Sequence, residues 1–200
     1  MELDGCAVFD TALGCCGIGW TPNGVGRVWL PCGSRQATLA AVGRDYPDVP
    51  VREPATGSVA ARAVAEIQRL LAGERLDLLD VVVDFGHDRG QGSGSGPGSG
   101  SGSGKGQPDF FRRVYDVTRS IPVGSTLTYG EVAVRVGLAG SARAVGQALG
   151  RNPVPIVVPC HRVLAADGSM HGFSAPGGIE TKRRMLRIEG ALPEPAPTLF

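Results

Sequence analysis

The stretch ARAVGQALGRNPVPIVVPCHRV fills residues 142–163, and its two halves follow different rules. In the first half Ala142, Val145 and Leu149 recur at helical spacing, which puts them on one inward face and leaves Arg143 and Gln147 together on the outward one. In the second half Pro153, Pro155 and Pro159 each fix φ and each remove a backbone donor. Residues 156–158 between them read as a short buried strand, and Pro159 sets the direction in which the backbone presents Cys160. So much rigidity ahead of one sulfur suggests that the sulfur is aimed.

A thiol attacks only as thiolate, and with a free pKa near about 8.5 it needs a base or positive surroundings. His161 is the obvious base. Adjacent side chains of an extended segment point to opposite faces, so Cys160 and His161 need a turn or a bridging water to work together. A third group should orient the imidazole, and spacing leaves Asp167, Glu180 and Glu189 open for that part. The alternatives are an inert buried cysteine or a thiol hydrolase.

Upstream, a helix from about Tyr129 to Val136, a GLAG turn at 137–140 and an N-cap at Ser141 lead into the helix that ends near Leu149. This is the outline of a helix-turn-helix, whose second helix usually meets DNA. Ser141, Arg143 and Gln147 are its candidate DNA contacts. PDFFRRVYDVTRS (108–120) precedes it, with Phe110, Val114 and Val117 on one helical face.

The Gly/Ser-rich run at 86–107 buries nothing and is expected to act as a flexible tether. Before it lies a small α/β unit. CAVFDT (6–11) and GRVWLP (26–31) read as strands around a TPNG turn at 21–24. Residues 58–73 read as an amphipathic helix, capped by Ser58, ended by Gly73, with Ala60, Val64, Ile67 and Leu71 on one face. LDLLDVVVDF (76–85) reads as a further strand. Cys6, Cys15, Cys16, Cys32 and His87 lack ligand spacing, so no metal is assigned and the cysteines are read as small buried side chains.

The 200-residue chain, 42% apolar with a formal charge of +1, has room for a core and is no polycation. Its charge is uneven: residues 1–107 carry 9 Lys+Arg against 12 Asp+Glu, residues 108–200 carry 11 against 7, and the basic half suits an anionic partner. Five irregularly spaced cysteines without a CxxC argue for a reducing compartment. No secretory leader or membrane-length apolar run is evident, so a cytoplasmic location is expected.

ARAVGQALGRNPVPIVVPCHRV, with ADG (166–168) and IETKRRMLRIEGA (179–191) after it, resembles the O6-alkylguanine-DNA alkyltransferases, also called methylated-DNA–protein-cysteine methyltransferases. The likeness is strong over about 108–190 and looser over 6–85, where FDTALG (9–14) is similar to the family's first strand. It implies an α/β N-terminal domain (1–85), with a small antiparallel sheet plus helix of ribonuclease H-like form. After the linker (86–107) comes a mostly α, winged-helix-like alkyltransferase domain (108–192) with the helix-turn-helix, then a Pro-rich tail (193–200).

By that likeness Cys160 accepts the alkyl group, His161 deprotonates it through a water, Glu189 orients the histidine and Asn152 braces the turn before the cysteine. Arg143 is the finger that fills the gap left by a flipped nucleotide. Tyr129 helps rotate that nucleotide and lines the guanine pocket with Phe173 and Ser174. The implied activity is irreversible, stoichiometric transfer from O6-alkylguanine, with O4-methylthymine as a second candidate substrate, in double-stranded DNA, by a monomer with no membrane partner and no cofactor. A DNA-binding relative without transfer chemistry is the runner-up. Arg162 is expected in a structural ion pair, and Lys182, Arg183, Arg184 and Arg187 on a solvated helix face. The chain departs from the family pattern in a pocket loop (171–180) longer by about two residues, and in Phe111 and Tyr115 where glutamine and tryptophan are usual.

Overall fold

Two tight turns fold the first 29 residues into three antiparallel strands, β1 (Gly5–Thr11), β2 (Gly14–Thr21) and β3 (Gly24–Trp29), in the order β1-β2-β3. The computed structural model describes residues 1–86, 107–170 and 172–193. Residues 87–106 of the 86–107 tether, His87 among them, lie outside the described residues, as do His171 and residues 194–200 of the tail.

The middle strand β2 is not apparent in the sequence, because glycines at 14, 17 and 19 interrupt its apolar pattern. Packing explains the glycines: a Cβ on Gly19 would stand 2.6 Å from Leu3 Cδ1, and one on Gly17 would stand 3.1 Å from both Trp29 and Val42. The neighbours' large side chains occupy the space that β2 leaves empty. A helix that the periodicity did not mark, α1 (Arg35–Asp45), covers this face. Ser34 caps it by accepting from Ala37 N at 3.1 Å, and buried Thr38 ties it to the sheet by donating to Cys15 O at 3.0 Å. On the other face α2 (Val59–Leu71) buries Ala60, Ala63, Ile67, Leu70 and Leu71 under the expected Ser58 cap.

The strand expected over 76–85 is absent. Residues Leu78–Asp80 form a 3-10 turn, and only a single bridge, Val25 to Val83, links the segment to β3. The reason lies in its partner. The carbonyls of Leu78, Leu79 and Val81 all accept from Arg119 Nη2, at 3.0, 2.9 and 2.8 Å, so a guanidinium stands where a neighbouring strand would be.

Arg119 ends α3 (Gln107–Arg119), which buries Phe110, Val114, Tyr115 and Thr118. The short β4 (Leu127–Thr128) leads directly into α4 (Tyr129–Arg135), and Thr128 and Glu131 form a reciprocal capping box at the junction. A turn follows, then α5 (Ala142–Gly150). The chain then crosses to β5 (Val163–Leu164), which pairs in parallel with β4, and ends in α6 (Gly178–Ile188). One apolar cluster joins both halves of the chain, from Phe9, Ile18 and Ile67 to Val114, Val145 and Val158. Among the described residues no helix is long and apolar enough to cross a membrane.

Replacing Arg119 with Met should leave the Leu79 and Val81 carbonyls without this donor and lower stability by about 1–3 kcal/mol in urea denaturation. Unchanged stability would mean that the 78–81 turn is held by its apolar contacts alone.

Candidate active site

The backbone between Asn152 and Cys160 is a chain of turns, not the short strand expected at 156–158. Val158 N donates to Val154 O at 2.9 Å, and Ile156 takes φ +76°. A β-branched residue in the left-handed region is strained by about 1–3 kcal/mol and persists only when its surroundings impose it. Here they do. Ile156 is 1% exposed, prolines flank the turn, and the Asn152 amide spans it, accepting from Val154 N at 3.0 Å and donating to Val158 O at 2.8 Å. The 3-10 turn Cys160–Arg162 follows directly. That turn removes the alternation that would have sent Cys160 and His161 to opposite sides.

Cys160 is half-buried and lines a cavity of about 310 Å³ together with Tyr129, Asn152, Pro155, Phe173, Ser174 and Lys182. Burial pushes its thiol pKa up, while the Asn152 side chain and the Lys182 ammonium oppose the rise. His161 lies behind it, fully buried. Its Nε2 meets Glu189 Oε1 at 2.9 Å, and its Nδ1 has no protein partner. Asp167 and Glu180, the other acids in reach by spacing, are exposed, and Glu180 pairs with Arg183 and Arg187.

Glu189 is itself gripped. Arg162 donates from Nε to Oε2 at 2.8 Å and from Nη2 to Oε1 at 2.9 Å, in the two-pronged geometry that suits a carboxylate. Arg162 also donates from Nη1 to Ile121 O at 2.6 Å. Burial alone would raise the Glu189 carboxyl, but His161 and Arg162 outweigh it and hold the pKa down to about 2. An ionised Glu189 places the ring proton on Nε2 and leaves Nδ1 as the basic atom. Burial keeps the imidazole below its ordinary pKa despite that carboxylate.

Lys182 corrects the reading of 182–187 as a solvated face. It is 1% exposed, donates from Nζ to Val163 O at 2.7 Å, and stands 6.0 Å from the centre of the Tyr129 ring. Burial lowers its pKa. Its place could have been found from spacing, since Lys182, Met185, Leu186 and Glu189 fall on one helical face, all of it buried. Arg183 and Arg184 are exposed as expected.

Arg143 and Gln147 lie exposed on the outer face of α5, outside the cavity lining. Ser141 stands at the N-cap of α5 but makes no capping bond, contrary to expectation. Phe173 is half-buried and Ser174 exposed at the cavity wall. Among the described residues no group of three or more His, Cys, Asp or Glu side chains is placed to hold a metal ion.

Residues 109–191 match the model of the 6-O-methylguanine DNA methyltransferase DNA-binding domain. The chain is 54% identical over 82 residues to the methylated-DNA–protein-cysteine methyltransferase of Methanothermobacter thermautotrophicus, a match covering 41% of this chain and 44% of that protein. It is 47% identical over 92 residues to the enzyme of that name from Mycobacterium tuberculosis, covering 46% and 54%. The chain thus spans about half the length of the curated relatives it matches. The crystal structure of M. tuberculosis O6-methylguanine methyltransferase superposes with a TM-score of 0.64 at 28% identity, covering 94% of this chain and 93% of that one. The DNA complex of the M. tuberculosis protein gives 0.64 at 29% identity over 93% and 92%. The fold is therefore that of these proteins, a small antiparallel sheet with helices.

Glu189→Gln should cost about 3 kcal/mol at pH 7, because Arg162, 2% exposed, would keep only the half-exposed Asp77, 3.7 Å away, as counter-charge. The depressed carboxyl also sets a pH window. Its contribution is complete above an unfolded pKa of about 4.3 and is lost as pH falls toward the folded value of about 2. Denaturation from pH 5 to 2 should show that slope in the wild type and a weaker one in Glu189→Gln; equal slopes would place the acid-sensitive group elsewhere.

Proposed function

We propose that this chain, whose residues 109–191 belong to the DNA-binding domain family of the 6-O-methylguanine DNA methyltransferases, repairs O6-alkylguanine in duplex DNA by moving the alkyl group onto Cys160. The observation that carries this reading is a buried imidazole one residue from a cavity-lining thiol, with Nε2 held by an ionised carboxylate and Nδ1 unpartnered. Such a ring is a base waiting for a proton.

In this reading the Cys160 proton passes through a water to His161 Nδ1. The sulfur then attacks the alkyl carbon in line, the S–C bond forms as the C–O6 bond breaks, and the electron pair leaves with guanine. The proton ends on guanine N1. The Lys182 ammonium and the Asn152 side chain favour the thiolate as it forms, because both already oppose the rise in the thiol's pKa. The thioether has no route back to a thiol, so each molecule acts once.

The O6 carbon of a stacked base is beyond the reach of a recessed sulfur, so the nucleotide must leave the helix, at a cost of a few kcal/mol. Arg143, exposed on α5, is suited to fill its place, with Gln147 and Ser141 beside it on the DNA. Tyr129, Phe173 and Ser174 flank the base, and Asn152 fixes the turn that aims the sulfur. The same reading makes the N-terminal sheet with α1 and α2 ribonuclease H-like and the helices around β4 and β5 winged-helix-like, on the order of their elements. A DNA-binding relative without transfer would leave the oriented imidazole and the thiol without a task.

Intact-mass measurement after incubation with duplex DNA carrying O6-methylguanine should show one added CH2 per chain, mapped to the peptide of residue 160, and none with Cys160→Ala. Arg143→Ala should slow transfer from duplex by about ten- to hundredfold while sparing reaction with a free-base analogue. Equal loss on both would remove Arg143 from its role, and absence of any adduct on the wild type would overturn the function.

A further inference from the structure

The Arg162 guanidinium has two sides, and the transfer chemistry accounts for one of them. On that side Nε and Nη2 hold Glu189, whose Oε1 also meets His161 Nε2. On the other side Nη1 donates to Ile121 O at 2.6 Å and stands 3.7 Å from Asp77 Oδ1. Asp77 belongs to the N-terminal half, one residue ahead of the Leu78–Asp80 turn, and lies outside the cavity lining.

Several contacts hold Asp77 in this place. The same Oδ1 accepts from Val123 N at 3.1 Å, and Arg75 donates from Nη2 to Val123 O at 3.2 Å, so the two side chains grip both backbone polar groups of Val123. Beside it Gly124 has φ +79°, and a Cβ there would stand 3.0 Å from Glu189 O and 3.2 Å from Arg75 Nη2. The loop at 121–124 is thus seated between the N-terminal segment and the end of α6, with no room for a side chain at 124.

The charged groups facing the imidazole are Glu189 and Lys182 from α6 and its C-cap, and Arg162 from its own turn. Asp77 and Arg75 stand behind Arg162. A cation shared between two carboxylates gives less of its field to each. Glu189 Oε1 serves both Arg162 and His161, so a charge that draws the guanidinium away from Glu189 leaves that oxygen freer for the ring.

We propose that Asp77 is a positioning residue of the transfer reaction: it holds the far side of the Arg162 guanidinium, keeps part of that charge off Glu189, and so makes His161 the stronger base. The inference rests on the reading of His161 as the base for Cys160. It makes the N-terminal half a contributor to the chemistry.

The test uses the full chain as wild type, Asp77→Asn, Asp77→Glu and Asp77→Ala, with two readouts. One is the single-turnover rate of methyl transfer from duplex DNA carrying O6-methylguanine, from about pH 4 to 9. The other is the titration of the His161 ring by nitrogen-15 NMR, in a chain with only 3 histidines. Asp77→Asn keeps an acceptor for Val123 N and removes the charge. It should slow transfer at neutral pH by about two- to fivefold. It should also lower the pH at which Nδ1 takes its proton by about half a unit, because a lost negative charge disfavours the cationic ring while water screens the open side of Asp77. The acid limb of the rate profile should move down with it. Asp77→Glu, which restores the charge at a half-exposed site, should recover most of the rate, and Asp77→Ala should be slower than Asp77→Asn. An Asp77→Asn protein that matches the wild type in both readouts overturns the inference. So does a loss of rate that only tracks the folded fraction, with the ring's titration unmoved, because Asp77 would then serve the fold alone. A wild type that forms no methyl adduct would instead overturn the reading of His161 and Cys160, and this inference with it.

Discussion

The bidentate ion pair between Arg162 and Glu189 is the interaction on which the site depends. Two opposite charges, 2% and 4% exposed, sit in the centre of the C-terminal half. An isolated charge there would be expelled or neutralised, so each requires the other. Their geometry spends one Glu189 oxygen on both Arg162 and His161, and so converts a structural pair into a device that fixes a tautomer. Arg162 is in turn positioned by Ile121 O, and the Ile121–Val123 loop is clipped from the N-terminal side. Val123 N donates to Asp77 Oδ1 at 3.1 Å and Arg75 donates to Val123 O at 3.2 Å. The orientation of one imidazole thus draws on residues more than a hundred positions apart.

The second constraint is the turn from Asn152 to Cys160. A left-handed isoleucine is stable only if every neighbour opposes its relaxation, and proline, the Asn152 amide and the bond from Val28 N to Pro153 O each do so. In-line displacement tolerates little error in the placing of the sulfur. Strain held by redundant contacts is a way to keep a backbone still where a regular strand or helix would point the side chain elsewhere.

Much of this was legible in the sequence, for identifiable reasons. Helices α2, α3 and α5 announce themselves because their apolar residues repeat at helical spacing over two or more turns, and the Ser58 cap lies where a short polar side chain precedes such a run. The thiol and its histidine are adjacent and need no fold to be associated. Tertiary packing hid the rest. Strand β2 carries glycines whose missing side chains are replaced by Leu3, Trp29 and Val42 from elsewhere in the chain. The 76–85 segment has a strand's composition, yet Arg119 competes for its carbonyls. Spacing alone left three acids for His161, and only the return of α6 past the Cys160–Arg162 turn brings Glu189 to the ring.

The thiol's environment looks at first like a contradiction, since burial raises the pKa of a group that must react as its anion. On the proposed chemistry the contradiction is useful. A sulfur spent in one reaction gains nothing from being reactive at rest, where oxidants and stray electrophiles would consume it. Burial keeps it protonated. The base, the Lys182 ammonium and the Asn152 amide stay fixed around it, so the cost of ionisation falls only when an alkyl carbon stands in line to accept the charge as a bond. Cys6 and Cys16 lie under the same desolvation, raised to about 11 and about 12, and neither lines that cavity. What separates Cys160 from these inert thiols is its placement against a polarised imidazole, which depends on the Arg162–Glu189 pair behind it.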